Sequence, residues 1–258
     1  MLKRKNKKIS IYKIKMNNDI KLPRSPKVKK TKFKGSPTYN LKVMKYLQNK
    51  YQEHCVIIPD IKKNKNEILE HTDVSLRWIQ TKGKDGYFSI PKNYWEQFSK
   101  CSDKRFIIFP FGFTCRNNLG HAGICIYDKK TKSLERFEPY GKSKRDCTNP
   151  FNIDEKLKKL FQDNLGEDFI QNYYAPLDFM PTKSFQSLQE DEYDFKKKVK
   201  GDPEGGFCAA WVAFLAELRL QNPNKDRKRL VILAVEKLDN SDRTMTSYIR
   251  GYSATLTT

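Results

Sequence analysis

Cys208, His121 and Glu138 are a thiol, an imidazole and a carboxylate, the set of groups that turns a sulfur into a nucleophile for acyl transfer. A cysteine reacts as its thiolate, and a helix N-terminus is one of the few backbone settings that favours that anion. Cys208 precedes the most apolar run in the chain, through Ala209, Ala210, Trp211, Val212, Phe214, Leu215, Leu218 and Leu220, which reads as a buried helix beginning at the sulfur. Gly205 and Gly206, just before it, permit the tight turn that would present the sulfur and a neighbouring N–H to a carbonyl. Taken alone, a cysteine beside an apolar helix is more often an inert packing residue, so a partner has to carry the assignment. Of the three histidines, His54 and His71 fall in charged segments, whereas His121 opens a predicted core strand that would aim its ring rigidly.

Three elements must bring these groups together. Residues 105–111, 121–127 and 133–137 are short apolar runs that read as buried strands. The charged stretch 128–132 joins the last two as a hairpin turn. That hairpin sets the start of the histidine strand beside the end of the next, where Glu138 stands, so the carboxylate reaches the ring and fixes its tautomer. A helix is expected over 154–164, a strand over 169–175, a mobile loop over 187–206 and an amphipathic helix over 226–238.

The segment His121-Ala-Gly-Ile-Cys-Ile-Tyr-Asp128, with Leu134-Glu-Arg-Phe-Glu138-Pro-Tyr-Gly141, resembles the paired strands of the SUMO-protease and adenovirus-protease clan of cysteine peptidases. Gly205-Gly-Phe-Cys208-Ala-Ala-Trp211 is similar to that clan's nucleophile helix, and the wording of both motifs is most like the versions encoded by large DNA viruses. The resemblance spans roughly residues 105–220. It implies an α+β, papain-like fold in which a central mixed sheet packs on a buried helix beginning at the nucleophile. It also implies Cys208 as nucleophile, His121 as base, Glu138 as orienter and an upstream glutamine in the oxyanion hole, here Gln186 with Gln189 in reserve. No cofactor is implied. The implied substrates are proteins, either viral structural precursors or ubiquitin-like conjugates, cut at peptide or isopeptide bonds after small residues. This chain departs from the family pattern in having Ala122 where Trp is common, Glu138 for the usual Asp, Phe207 where Asp often precedes the nucleophile, and Gln186 unusually far upstream.

The formal charge is +21, from 51 Lys and Arg against 30 Asp and Glu, and residues 1–35 hold fourteen of the bases with one acid. Such a segment attracts polyanions and is a candidate nucleic-acid contact or targeting tail. The chain therefore divides into a flexible basic arm (1–38), a mostly helical accessory lobe (39–104) and a peptidase core (105–258). No long apolar run or secretory h-region appears, so the expected setting is intracellular, without membrane contact: host cytoplasm or virion if viral, with the nucleus open to it. The six cysteines show no CxxC pair and are read singly; a zinc set from Cys115, His121 and Cys125 is disfavoured by the apolar residues between them. Two other readings stay open: a catalytically inactive scaffold of the same fold binding nucleic acid, and an acetyltransferase of the effector type that uses a similar Cys, His and Glu set.

Overall fold

A computed structural model of the chain describes residues 19–59, 74–80, 85–114, 120–142, 152–192, 202–203 and 206–257. Helix α1 (Pro37–Lys50) leads into the short strands β1 (Cys55–Val56), β2 (Leu76–Ile79) and β3 (Tyr87–Ser89), followed by helix α2 (Tyr94–Lys100). Three strands then run in succession, β4 (Phe106–Thr114), β5 (Gly120–Asp128) and β6 (Ser133–Phe137). Helix α3 (Ile153–Leu165) leads to strand β7 (Asn172–Tyr174), the one-turn α4 (Pro176–Phe179) and α5 (Phe185–Glu192), and the chain closes with α6 (Cys208–Gln221), α7 (Arg227–Asp239) and α8 (Met245–Thr255).

Among the described residues the strands form one seven-stranded mixed sheet in the order β3-β2-β4-β5-β6-β7, with β1 also paired to β4. β4 to β6 are antiparallel neighbours, and the hairpin register sets Tyr127 opposite Leu134 and Asp128 opposite Ser133, so the turn falls at 129–132 as the charge pattern predicts. Pro110 sits within β4 although proline has no N–H for a ladder. On that side β4 changes partner: β1 pairs as far as Ile108 and β2 begins at Phe111, so the missing donor falls where neither strand needs it.

Alternation along β4 and β5 divides two cores. Phe106, Ile108, Ile124 and Ile126 pack on the side of α1, α6, α7 and α8. Ile107, Phe109, Phe111 and Cys125 pack on the other side, with Phe98 of α2 and Phe161 of α3. Helix α6 is apolar on nearly every side because it is enclosed on every side: twelve consecutive residues, Ala209–Leu220, are buried. Trp211 is fully buried, its ring stacked on Phe185 and edge-on to Phe214, and truncating such a residue costs about 3–5 kcal/mol.

The described residues of 39–104 are not a lobe apart from the core. Three strands from this stretch extend the same sheet, and Trp78 is buried within the core. Nor is the described part of the basic arm a flexible tail. Residues 19–36 lack regular structure yet are fastened to the body, with Ile20 and Phe33 buried in the α6 core. Lys21 N–H donates to Asn222 Oδ1 (2.9 Å) and Ser25 Oγ to the Tyr248 carbonyl (2.6 Å). Residues 1–18 lie outside the described residues. The stretch expected as a mobile loop begins with α5 instead, and 193–201 are not described. Cys55 and Cys101 are joined in a disulfide, so the expectation of six single cysteines is corrected for this pair.

Candidate active site

The sulfur is placed by a glycine turn. Gly206 has φ +78°, the left-handed region that side chains with a Cβ resist, and Phe207 then caps α6 so that Cys208 is its first residue. The N–H groups of the first turn have no partner within their own helix, so their partial positive charge faces the sulfur and whatever approaches it. Gly205 lies outside the described residues.

His121 is the second residue of β5, and Glu138 directly follows β6. The antiparallel register brings them together as the hairpin predicts: His121 Nε2 donates to Glu138 Oε1 at 2.6 Å. The same oxygen accepts the Tyr140 N–H at 3.1 Å. The ring is held between Phe113 and Tyr140, whose centroids lie 5.8 and 5.1 Å away. With Nε2 committed to the carboxylate, Nδ1 is the nitrogen left to face Cys208, and the sulfur and the imidazole are hydrogen-bonded. Glu138 is fully buried and His121 is 8% exposed, so their interaction is screened little by solvent.

Electrostatics follow from that geometry. Burial by itself would lower the His121 pKa; the charge of Glu138 and the hydrogen bonds with Cys208 and Glu138 outweigh it and carry the ring up to about 10. Burial would raise the Cys208 thiol; the hydrogen bond and charge of His121, aided by the N–H groups of Ala122 and Ala209, outweigh it and bring the thiol below its ordinary value. Both shifts favour a thiolate beside an imidazolium at neutral pH.

The pair opens onto a groove of about 410 Å³ whose walls include Cys208, His121, Ala122, Gly112, Arg77 and Gly35. Of the four sequence-predicted site residues, Cys208, His121 and Glu138 are brought together and Gln186 is not among the groove's walls. Gln186 Nε2 instead donates to Tyr140 Oη (2.9 Å), which places it behind the histidine rather than beside the sulfur. Gln189 is engaged elsewhere, its Oε1 accepting from Trp211 Nε1 at 2.8 Å. The oxyanion role expected of either glutamine therefore lacks support from the geometry. Two contributors escaped the sequence reading: Tyr140, within the quoted motif but without a role, and Arg77, whose signal was a charge inside the apolar run Leu76–Ile79.

His54 packs edge-on to Phe106, remote from the sulfur's hydrogen bonds, and His71 lies outside the described residues. For the disfavoured zinc set, Cys115 also lies outside them, and Cys125 is buried among the aromatics of the second core, where burial pushes its thiol up. Among the described residues, no group of three or more His, Cys, Asp or Glu is placed to hold a metal, and no helix is long and apolar enough to cross a membrane.

No family model matches the chain, and no curated protein matches it. Among solved structures, it is similar to the C-terminal Ulp1 protease domain in complex with Smt3, the yeast orthologue of SUMO, at 15% identity and a TM-score of 0.30. The match covers 64% of this chain and 63% of that one, so the chain spans less than two thirds of its length. A likeness this loose leaves the functional assignment to the residues themselves.

Proposed function

We propose that the chain is a cysteine peptidase of papain-like architecture, cleaving peptide or isopeptide bonds through Cys208, His121 and Glu138. The observation that carries this reading is the unbroken series of contacts from Glu138 through His121 to Cys208, ending at a helix N-terminus and a groove. A buried carboxylate and imidazole match each other's charge, and what goes beyond a structural pair is the further contact of that imidazole with the Cys208 sulfur at the groove.

In the proposed mechanism the Cys208 thiolate attacks the substrate carbonyl, forming a C–S bond as the carbonyl π pair moves to oxygen. N–H groups of the first turn of α6 are positioned to receive that oxyanion. Collapse expels the amine, which takes its proton from the His121 imidazolium and leaves a thioester. Neutral His121 then removes a proton from water, hydroxide adds to the thioester, and the thiolate departs with the imidazolium restored. Glu138 keeps one charge beside the ring throughout and fixes Nε2, so that Nδ1 does the proton transfer.

The groove is at the small end of ligand-sized clefts, which suits an extended peptide with small residues at the scissile bond. Viral structural precursors and ubiquitin-like conjugates are both proposed substrates on that ground, and polyanion binding by the N-terminal residues is proposed on the basic excess of residues 1–35. The test is cleavage of a peptide library and of ubiquitin-like precursors by the wild type and by Cys208→Ala. Cleavage that disappears in a folded Cys208→Ala protein supports the reading, and cleavage that persists refutes it.

A further inference from the structure

Arg77 is a cation where the sheet has no obvious use for one. It lies in β2 between Leu76 and Trp78, and it is only 3% exposed. The strand registers set Arg77, Gly112 and Ala122 in one row across β2, β4 and β5. That row shares the α6 side of the sheet with Ile108 and Ile124, and two of its members are too small to fill the space above them. The arginine side chain turns back over Gly112 into that space: a Cβ on Gly112 would stand 2.7 Å from Nη2 and 2.9 Å from Cζ. Only glycine at 112 leaves the guanidinium this position, and Ala122, on the next strand, offers its N–H to the Cys208 sulfur.

One edge of the guanidinium is anchored. Nη1 donates to the Phe113 carbonyl at 2.6 Å and to Thr114 Oγ1 at 3.2 Å. The opposite edge is not: Nε is buried without a hydrogen-bond partner, and Nη2 makes no hydrogen bond among the described residues. This is the edge that four other arginines of the chain present to carboxylates in two-pronged contacts: Arg136 to Asp154 (2.6 and 2.8 Å), Arg219 to Glu135 (2.9 and 3.0 Å), Arg250 to Asp202 (2.8 and 2.8 Å) and Arg105 to Asp128 (3.2 and 3.2 Å). Among the described residues, no carboxylate faces it at Arg77. Burial lowers its pKa to about 10, and the charge of Cys208 opposes the shift. A buried guanidinium edge left open costs stability unless a ligand completes it.

Resting on the peptidase reading above, we propose that Arg77 is a specificity-determining residue that selects substrates carrying an aspartate or glutamate in the same groove, beyond the small residues at the scissile bond. The substrate carboxylate accepts from Nε and Nη2 together, the planar fork matching its two oxygens. An acidic group held there lies on the same side of the sheet as the sulfur, within the same groove.

The test uses the full chain and peptidyl acyloxymethyl ketones that differ only by Glu or Gln at one position at a time. Such a reagent forms a thioether with the thiolate and releases its carboxylate, so the rate of Cys208 modification reports recognition without needing turnover. Wild-type protein is expected to react about 10- to 100-fold faster with the Glu reagent at one position, and the ratio is expected to fall toward one in Arg77→Gln. Arg77→Lys, which keeps the charge and loses the fork, should give an intermediate ratio and serves if Arg77→Gln does not fold. Equal rates for Glu and Gln at every position in the wild type overturn the inference while leaving the nucleophile assignment standing. A preserved ratio in the folded variants, with both reagents slowed alike, overturns it in favour of a role for Arg77 on the sulfur. If neither these reagents nor iodoacetamide modifies Cys208, the peptidase reading fails and the inference falls with it.

Discussion

Replacing Glu138 with glutamine removes the charge behind His121 and little else. Glu138 Oε1 makes both hydrogen bonds, to His121 Nε2 and the Tyr140 N–H, while Oε2 has no partner among the described residues. A glutamine in the same rotamer therefore keeps both contacts through its own Oε1. What changes is the balance at the ring: with the carboxylate charge gone, burial prevails and moves His121 from about 10 back toward or below its ordinary 6.5. The imidazolium that lowers the Cys208 thiol is then absent at pH 7. A thiol at its ordinary 9.0 is about 1% ionised at that pH, so the variant should lose the extra thiolate that the lowered wild-type thiol carries. Ultraviolet thiolate absorbance, taken as the difference between each protein and its Cys208→Ala form, measures that population directly across pH. Peptide cleavage at neutral pH should fall with it, by at most about 100-fold, the ceiling set by a thiol about 1% ionised. Linkage gives a second signature. Because the folded His121 pKa is raised, its pairing stabilises the wild type fully below 6.5 and progressively less as pH rises through about 10, so the stability gap between the two proteins should narrow over that window. Indistinguishable titrations of the thiolate in the wild type and Glu138→Gln would refute the reasoning.

The wild-type pH–rate profile for peptide cleavage should be bell-shaped, losing activity in acid as the thiolate is protonated, below the ordinary thiol value, and in base near pH 10 as His121 deprotonates; a single rise centred near 9 would contradict the pairing. Gln186→Ala should slow cleavage less than about 10-fold, because its amide braces Tyr140, whereas removing an oxyanion donor costs about 10²–10³-fold; kcat measurements separate these outcomes. Replacing Cys55 and Cys101 together with serine opens a crosslink between residues 46 apart and should cost up to about 4 kcal/mol in denaturant unfolding, while the Cys208 thiolate titration stays as in the wild type.

The hairpin carrying His121 and Glu138 was legible because its strands are long apolar runs separated by a charged turn, and local register then fixes who faces whom. Cys208 was legible for a related reason: a helix apolar on all sides has only one place to go, and its first residue inherits the exposed N–H groups. The strands before β4 were not legible. They are two to four residues long, and their partners are distant in sequence, as with Cys55 opposite Ile107, so no local pattern marks them. The Cys55–Cys101 pairing follows from the same long-range closure. The arm misled because lysines dominate its composition, while its anchoring comes from the buried Ile20 and Phe33 and from hydrogen bonds such as those of Lys21 and Ser25. Helix α8 passed unremarked, although Ile249 and Tyr252 on it are fully buried. Arg77 was concealed by apolar neighbours whose side chains turn to the other face, which is what alternation along a strand produces.

Site-resolved alkylation at neutral pH tests the central claim most directly, comparing Cys208 with the buried Cys125 in the wild type and in His121→Ala. If the imidazole holds the sulfur as a thiolate, peptide mapping will find Cys208 modified well before Cys125 in the wild type and will find that lead largely gone in the variant. Modification of Cys208 at one and the same slow rate in both proteins would contradict the account.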